Sequence, residues 1–198
     1  MNAQLLLAFA TFAFVMSVTP GPNNMMLLAS GVNFGLRRSL PHLLGISLGL
    51  MLMVCAMGFG LGQLLKLYPP MFGILRYVGG DYLLYLSWRI ATAAAPQVNG
   101  TADAKPFGLL QAAAFQWVNP KAWIMAIAAI TTYTPSQPLW HQVLLIAGLF
   151  GLINYPTCSV WVLAGSLLRR TLQDPRRRRQ FNGAMAILLV LSLYPLLL

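Results

Sequence analysis

Long apolar runs, separated by short stretches rich in Pro, Gly, Asn or Arg, divide the chain into six segments at about 4–34, 39–65, 71–92, 108–131, 140–168 and 181–198. A helix crossing a bilayer needs about 20 mostly apolar residues, and the runs are of that order. The first is too long for one straight span and is interrupted at Pro20-Gly21-Pro22. The stretch with Pro96, Asn99, Gly100, Asp103 and Lys105 reads as a loop, residues 134–138 as a turn, and residues 169–180 as a basic loop. The pattern predicts an all-α integral membrane protein, with one transmembrane domain over residues 1–198 and half-repeats at about 1–95 and 106–198. Residues 1–4 carry no Lys or Arg, so the first segment reads as a retained helix rather than a cleaved signal.

Composition agrees with lipid as the solvent. The chain is 58% hydrophobic and 8% charged, against about 25% charged residues in soluble domains. The net charge of +10 raises a nucleic-acid reading. The basic residues flank apolar runs instead of forming a patch, so no nucleic acid is expected as a partner. The positive-inside rule explains them better. Ten of the 13 Lys and Arg residues lie in the first, third and fifth connections, while Lys66 and Arg76 mark the other side. This predicts odd loops in the cytoplasm and both termini outside, provided all six segments span. Cys55 and Cys158 sit inside apolar runs without metal-ligand spacing and read as small hydrophobes; no metal or cofactor is expected.

The strongest local signal is Thr19-Pro20-Gly21-Pro22-Asn23-Asn24. Two prolines remove two backbone donors and leave the carbonyls of Met16 and Val18 without helical partners. Thr19 and Gly21 each precede a proline and are pushed from helical angles. In hydrocarbon such a break is tolerated only where protein or a wet cavity satisfies it. Asn23 and Asn24 then stand beside an exposed helix N-terminus, which favours a carboxylate. The plainer reading is a kink that shapes packing alone.

The second signal is Gln116-Trp117-Val118-Asn119-Pro120-Lys121 in the fourth segment. Pro120 frees the carbonyl of Gln116 and displaces Asn119 from helical angles. Lys121 stands near mid-span, where a charge usually faces a cavity or a partner; the alternative is snorkelling to an interface. Each signal is a Pro-Asn break in the first helix of a three-helix unit. Three is odd, so the two units would have opposite orientations. This is the inverted-repeat logic of secondary transporters, with broken first and fourth helices meeting near the midplane.

Asp81 is the one acid well inside an apolar run and is a candidate for proton coupling. Ionised, it could pair with Lys121 or His42; the plainer reading pairs it with Arg76. His42, at the start of the second segment, is a second titratable candidate or a polar anchor. Asn154-Tyr155-Pro156 kinks the fifth segment, making Asn154 and Tyr155 cavity candidates. Gly31/Gly35, Gly45/Gly49 and Gly58/Gly62 have the spacing that permits close helix approach, within the chain or in a homodimer. The run Arg176 to Arg179 reads as a topology anchor in contact with anionic membrane lipids.

With Thr19 to Asn23, Gly35-Leu36-Arg37-Arg38, His42, Gly45, Gly49, Gly79 to Leu83 and Phe115 to Lys121 in place, the sequence resembles the lysine-exporter (LysE/RhtB) family of bacterial amino-acid exporters over essentially its whole length. The resemblance implies an inner-membrane carrier that exports amino acids or close derivatives, with protons as the coupling partner. The doubled Asn23-Asn24 looks most like the branch exporting cysteine and O-acetylserine. Asp81 stands where the family commonly has a small residue. The two breaks themselves suggest alternating access with a substrate carboxylate toward Asn23, Asn24 and Lys121, and its ammonium toward freed carbonyls around Thr19 and Gln116. A membrane enzyme would need metal ligands, an activated nucleophile or paired carboxylates, and the two His and three acids offer no such set. A non-transporting accessory subunit would not need two matching breaks.

Overall fold

A computed structural model of the chain describes residues 2–68, 70–92, 106–136 and 138–194, except the side chains at 65, 66, 71, 72, 75 and 76. The loop expected around residues 93–105, an Asp81–Arg76 pair and the last four residues of the sixth segment lie outside the described residues.

The helices are α1 (Ala3–Val18), α2 (Pro22–Phe34), α3 (Leu36–Ala56), α4 (Gly62–Leu67), α5 (Pro70–Ala91), α6 (Leu109–Phe115), α7 (Pro120–Tyr133), α8 (Trp140–Thr171) and α9 (Pro175–Leu191). No strand occurs among the described residues. A π-helical turn at Met57–Leu61 joins α3 to α4, with Gly60 at φ 116°. Gly35, at φ 79°, turns the chain from α2 into α3, a conformation open chiefly to glycine.

Two stretches, Leu36–Leu64 and Trp140–Thr171, are long and apolar enough to cross a membrane, and α1 with α2 forms a third, bent by 54°. At 1.5 Å per residue, α8 is about 48 Å long, more than the roughly 30 Å hydrocarbon layer. The third expected span is the unbroken 22-residue α5, while the fourth and sixth are less regular, for local reasons. α6 has 7 residues and α7 has 14, because Pro120 divides them. α9 begins with Pro175-Arg176-Arg177-Arg178-Arg179. The protein is a multi-pass, all-α membrane protein.

The long helix α8 packs along α1, α2 and α3, while α6 lies on α3, and α9 lies on α5 and α2. The glycine spacings are consumed inside this packing. A Cβ on Gly31 would meet the backbone of α8 at Val162 and Gly165, and one on Gly165 would meet α2 at Leu28 and Val32. Gly45 and Gly49 admit Leu109 and Ala113 of α6 in the same way. These faces therefore hold the chain to itself. Between the helix ends, Phe9, Phe12, Tyr133 and Phe150 form an aromatic cluster joining α1, α7 and α8.

Candidate functional site at two broken helices

The first break is the stretch between α1 and α2. Thr19 and Gly21 are both extended, and Pro22 opens α2 at its first position, where a missing N–H costs nothing. The orphaned carbonyls are answered by side chains. Thr19 Oγ1 donates to Met16 O at 3.2 Å, and Trp161 Nε1 of α8 donates to Val18 O at 3.2 Å. Asn24 Nδ2 donates to both Ser17 O and Thr19 O at 2.8 Å. Its Oδ1 accepts from the Cys158 thiol at 3.5 Å. Asn24, expected as a free ligand, is thus largely engaged in clamping the break.

The second break is a 3-10 turn, Gln116–Val118, followed by extended Asn119 and by Pro120 at the first position of α7. The carbonyl of Gln116, expected to face a substrate, accepts the Asn119 N–H at 3.2 Å instead. The 3-10 turn shortens the bonding interval and so uses up the group that Pro120 released. Trp123 Nε1 donates to Trp117 O at 2.8 Å, and Asn119 Oδ1 caps α7 through Lys121 N at 3.1 Å. The Val118 carbonyl lies against Gly79 of α5, where a Cβ would not fit. Asn119 is 1% exposed. Its Nδ2 has no hydrogen-bond partner among the described residues.

The two breaks meet. Asn23 Nδ2 donates to Gln116 Oε1 at 2.8 Å, and Gln116 Nε2 donates back to Asn23 Oδ1 at 3.2 Å. Lys121 Nζ reaches across to the first break, donating to Thr19 O at 2.6 Å and Thr19 Oγ1 at 2.9 Å, with Pro20 O at 3.4 Å. Gly21 makes room for this side chain, since a Cβ there would stand 2.8 Å from Lys121 Cδ. No carboxylate among the described residues reaches the ammonium. Lys121 therefore turns into the protein and does not snorkel.

Around this junction lies a small pocket lined by residues that include Ser17, Asn23, Asn24, Lys121, Asn154 and Cys158. Its interior has room for little more than a water molecule. A polar chain supports its wall, from Ser47 Oγ to Asn154 Oδ1 at 2.9 Å and from Asn154 Nδ2 to Ser17 Oγ at 3.0 Å. Chemically the pocket combines carbonyl dipoles on the α1 side, an ammonium, and the uncapped N-terminus of α2, a set suited to a small zwitterion.

Of the residues singled out in the sequence, Thr19, Pro20, Gly21, Asn23, Asn24, Gln116 and Lys121 come together directly, with Pro22, Asn119 and Pro120 shaping the two breaks. Asn154 lines the pocket; Tyr155, its neighbour, is 37% exposed and does not. Asp81 is exposed on α5 and forms no ion pair among the described side chains. His42 is no polar anchor. It is 1% exposed, lies 5.3 Å from the Phe107 ring, and neither ring nitrogen is hydrogen-bonded among the described residues. α3 begins ahead of it, at Leu36, which carries the imidazole into the packed part of the helix. The pairing of Asp81 with Lys121 or His42 is not formed. Ser17, Cys158 and Trp161 escaped the sequence reading, because each is an ordinary residue of an apolar helix until the fold turns it to the break.

A bundle of apolar helices with two proline breaks facing one polar pocket is the architecture of a membrane carrier. The chain matches the LysE type translocator family over residues 14–193. It belongs to that family, which is one of translocators and not of enzymes. It is 35% identical over 194 residues to the cysteine/O-acetylserine efflux protein of Salmonella typhimurium, covering 96% of each chain. The protein of the same description from Klebsiella pneumoniae is 34% identical over 198 residues, covering 96% of this chain and 95% of that one. That from Escherichia coli K12 is 33% identical over 194 residues, covering 96% of each. No solved structure matches the chain.

Proposed function

We propose that this protein exports amino acids or close derivatives from the bacterial cytoplasm, with small neutral species such as cysteine and O-acetylserine favoured. The observation that carries the reading is the junction itself, where Lys121 and Gln116 from one break bond Thr19 and Asn23 of the other. Two breaks that merely kinked their own helices would not need to share hydrogen bonds. The relatives' efflux of cysteine and O-acetylserine supports the substrate class.

In this reading six helices form two inverted three-helix units in the inner membrane, with the basic loops in the cytoplasm. The substrate carboxylate approaches the α2 N-terminus, Asn23 and Lys121, and its ammonium meets the carbonyls at Thr19. The unpartnered Asn119 amide is a further donor at the second break. Alternating access moves the units about the junction, with proton entry driving export and His42, Asp81 and Lys121 as the titratable candidates.

A counterflow panel of amino acids and O-acetylated derivatives across a pH gradient in proteoliposomes tests it. Small neutral amino acids are expected to exchange, and Asn119→Ala and Lys121→Ala to lose at least about tenfold in rate, as removal of a charge-assisted bond would cost. Unchanged flux in both variants would remove the junction from the transport path.

A further inference from the structure

We infer that the carbonyl cage at the first break is a subsite for a primary ammonium group, and that Lys121 is a tethered occupant which the substrate's own ammonium displaces. This rests on the export reading and adds to it what fills the site between transport cycles.

The cage is unusual in what it lacks. An ammonium turned into a membrane protein is ordinarily matched by a carboxylate, and none among the described residues reaches the half-buried Lys121. Here Lys121 Nζ takes three neutral oxygens, Thr19 O at 2.6 Å, Thr19 Oγ1 at 2.9 Å and Pro20 O at 3.4 Å. Thr19 and Pro20 do not continue α1. Three acceptors around one nitrogen match the three donors of an R–NH3+ group. The α-ammonium of an amino acid carries the same three donors.

The geometry of the tether fits displacement better than permanent support. The Lys121 side chain spans from α7 to the other break and passes over Gly21, where a Cβ would lie 2.8 Å from its Cδ. It also lines the pocket, whose remaining interior admits little more than a water. A ligand ammonium can take the cage oxygens only if Lys121 Nζ leaves them. The N-terminus of α2 beside the cage has no side-chain cap, so a carboxylate can settle there and draw the released ammonium to it. A zwitterion supplies both charges at once: its ammonium replaces Lys121 in the cage, and its carboxylate gives Lys121 a new partner. A ligand without a primary amine leaves the cage to Lys121. Intramolecular occupancy at high effective concentration keeps small free amines out of the wild-type cage.

The test removes the tether and offers the cage a free amine. Purified wild type, Lys121→Ala and Lys121→Met are titrated with ethylammonium, with tetramethylammonium as the control cation, and the unfolding midpoint is followed in detergent. Ethylammonium is expected to raise the midpoint of both variants in a saturable manner, with an affinity at least about tenfold above that for wild type. Tetramethylammonium, which has no N–H donor, should act on none of them. Lys121→Met keeps the stem and guards against a collapse of Lys121→Ala. If ethylammonium acts equally on wild type and variants, or on neither folded variant, the tethered-occupant inference is overturned. The readout is independent of flux: a wild type that exchanges no amino acid would sink the export reading while this titration still decided the cage.

Discussion

A proline in a membrane helix leaves a carbonyl that some donor must answer, and the donors at the first break can be named. Asn24 is the most heavily committed, bridging Ser17 O and Thr19 O with one amide nitrogen. Asn24→Ala leaves Thr19 O to Lys121 alone and the buried Ser17 O with only the Cys158 thiol at 3.8 Å. The expected cost is about 1–3 kcal/mol, read as a lowered unfolding midpoint in detergent. Asn23 and Gln116 form a reciprocal amide pair, so their alanine variants should be non-additive in a double-mutant cycle, with a coupling of about 0.5–3 kcal/mol. Additive losses would mean that the pair contributes nothing as a pair. The positions of these breaks were legible in the sequence, because proline acts on its own carbonyl neighbours by a local rule. The donors were not. Trp161 and Cys158 have no spacing relative to Pro20 or Pro22, and only the packing of α8 against α1 and α2 supplies them.

Among elements, the contact of α2 with α8 decides whether the first break is sealed. It depends on two glycines that face one another. A Cβ at Gly165 would stand 3.0 Å from Val32 N, and one at Gly31 would stand 2.9 Å from Ser166 N. Backbone cannot step aside as a side-chain tip can. Gly165→Val should therefore destabilise by about 1–3 kcal/mol, at the upper end of that range. Gly148→Val, on the same helix with nothing within 4 Å, should be close to neutral in the same thermal assay. Equal losses at the two positions would point to helix propensity in place of close packing. The glycine spacing announced a close approach but not the partner, and the structure assigns it to α8 and α6 within one chain. The aim of a helix face was equally hidden. Asn154 and Tyr155 are neighbours in sequence, yet only Asn154 lines the pocket, since a helix turns successive residues by about 100°.

For the whole molecule, apolar runs and Pro-Asn interruptions sufficed to give an all-α membrane protein with a polar centre. They did not give the lengths of the pieces. α6 and α7 are short because the second break stands inside what reads as one apolar run, and α9 opens with charge. Asp81 and His42 show where local reading ends: one is exposed on α5 and the other is enclosed against Phe107, although both looked alike as titratable groups in apolar sequence. What unites the molecule is the convergence of α1, α2, α7 and α8 on one pocket, with Met16 and Met125 among its lining residues from opposite breaks. If that pocket is the route of transport, locking its two breaks together must stop export. With Cys55 and Cys158 replaced, Met16→Cys and Met125→Cys are joined by a short reducible cross-linker, and amino-acid counterflow is measured before linking, after linking and after reduction. Arrest on linking and recovery on reduction are the predicted results; complete linking with flux unchanged would contradict the account.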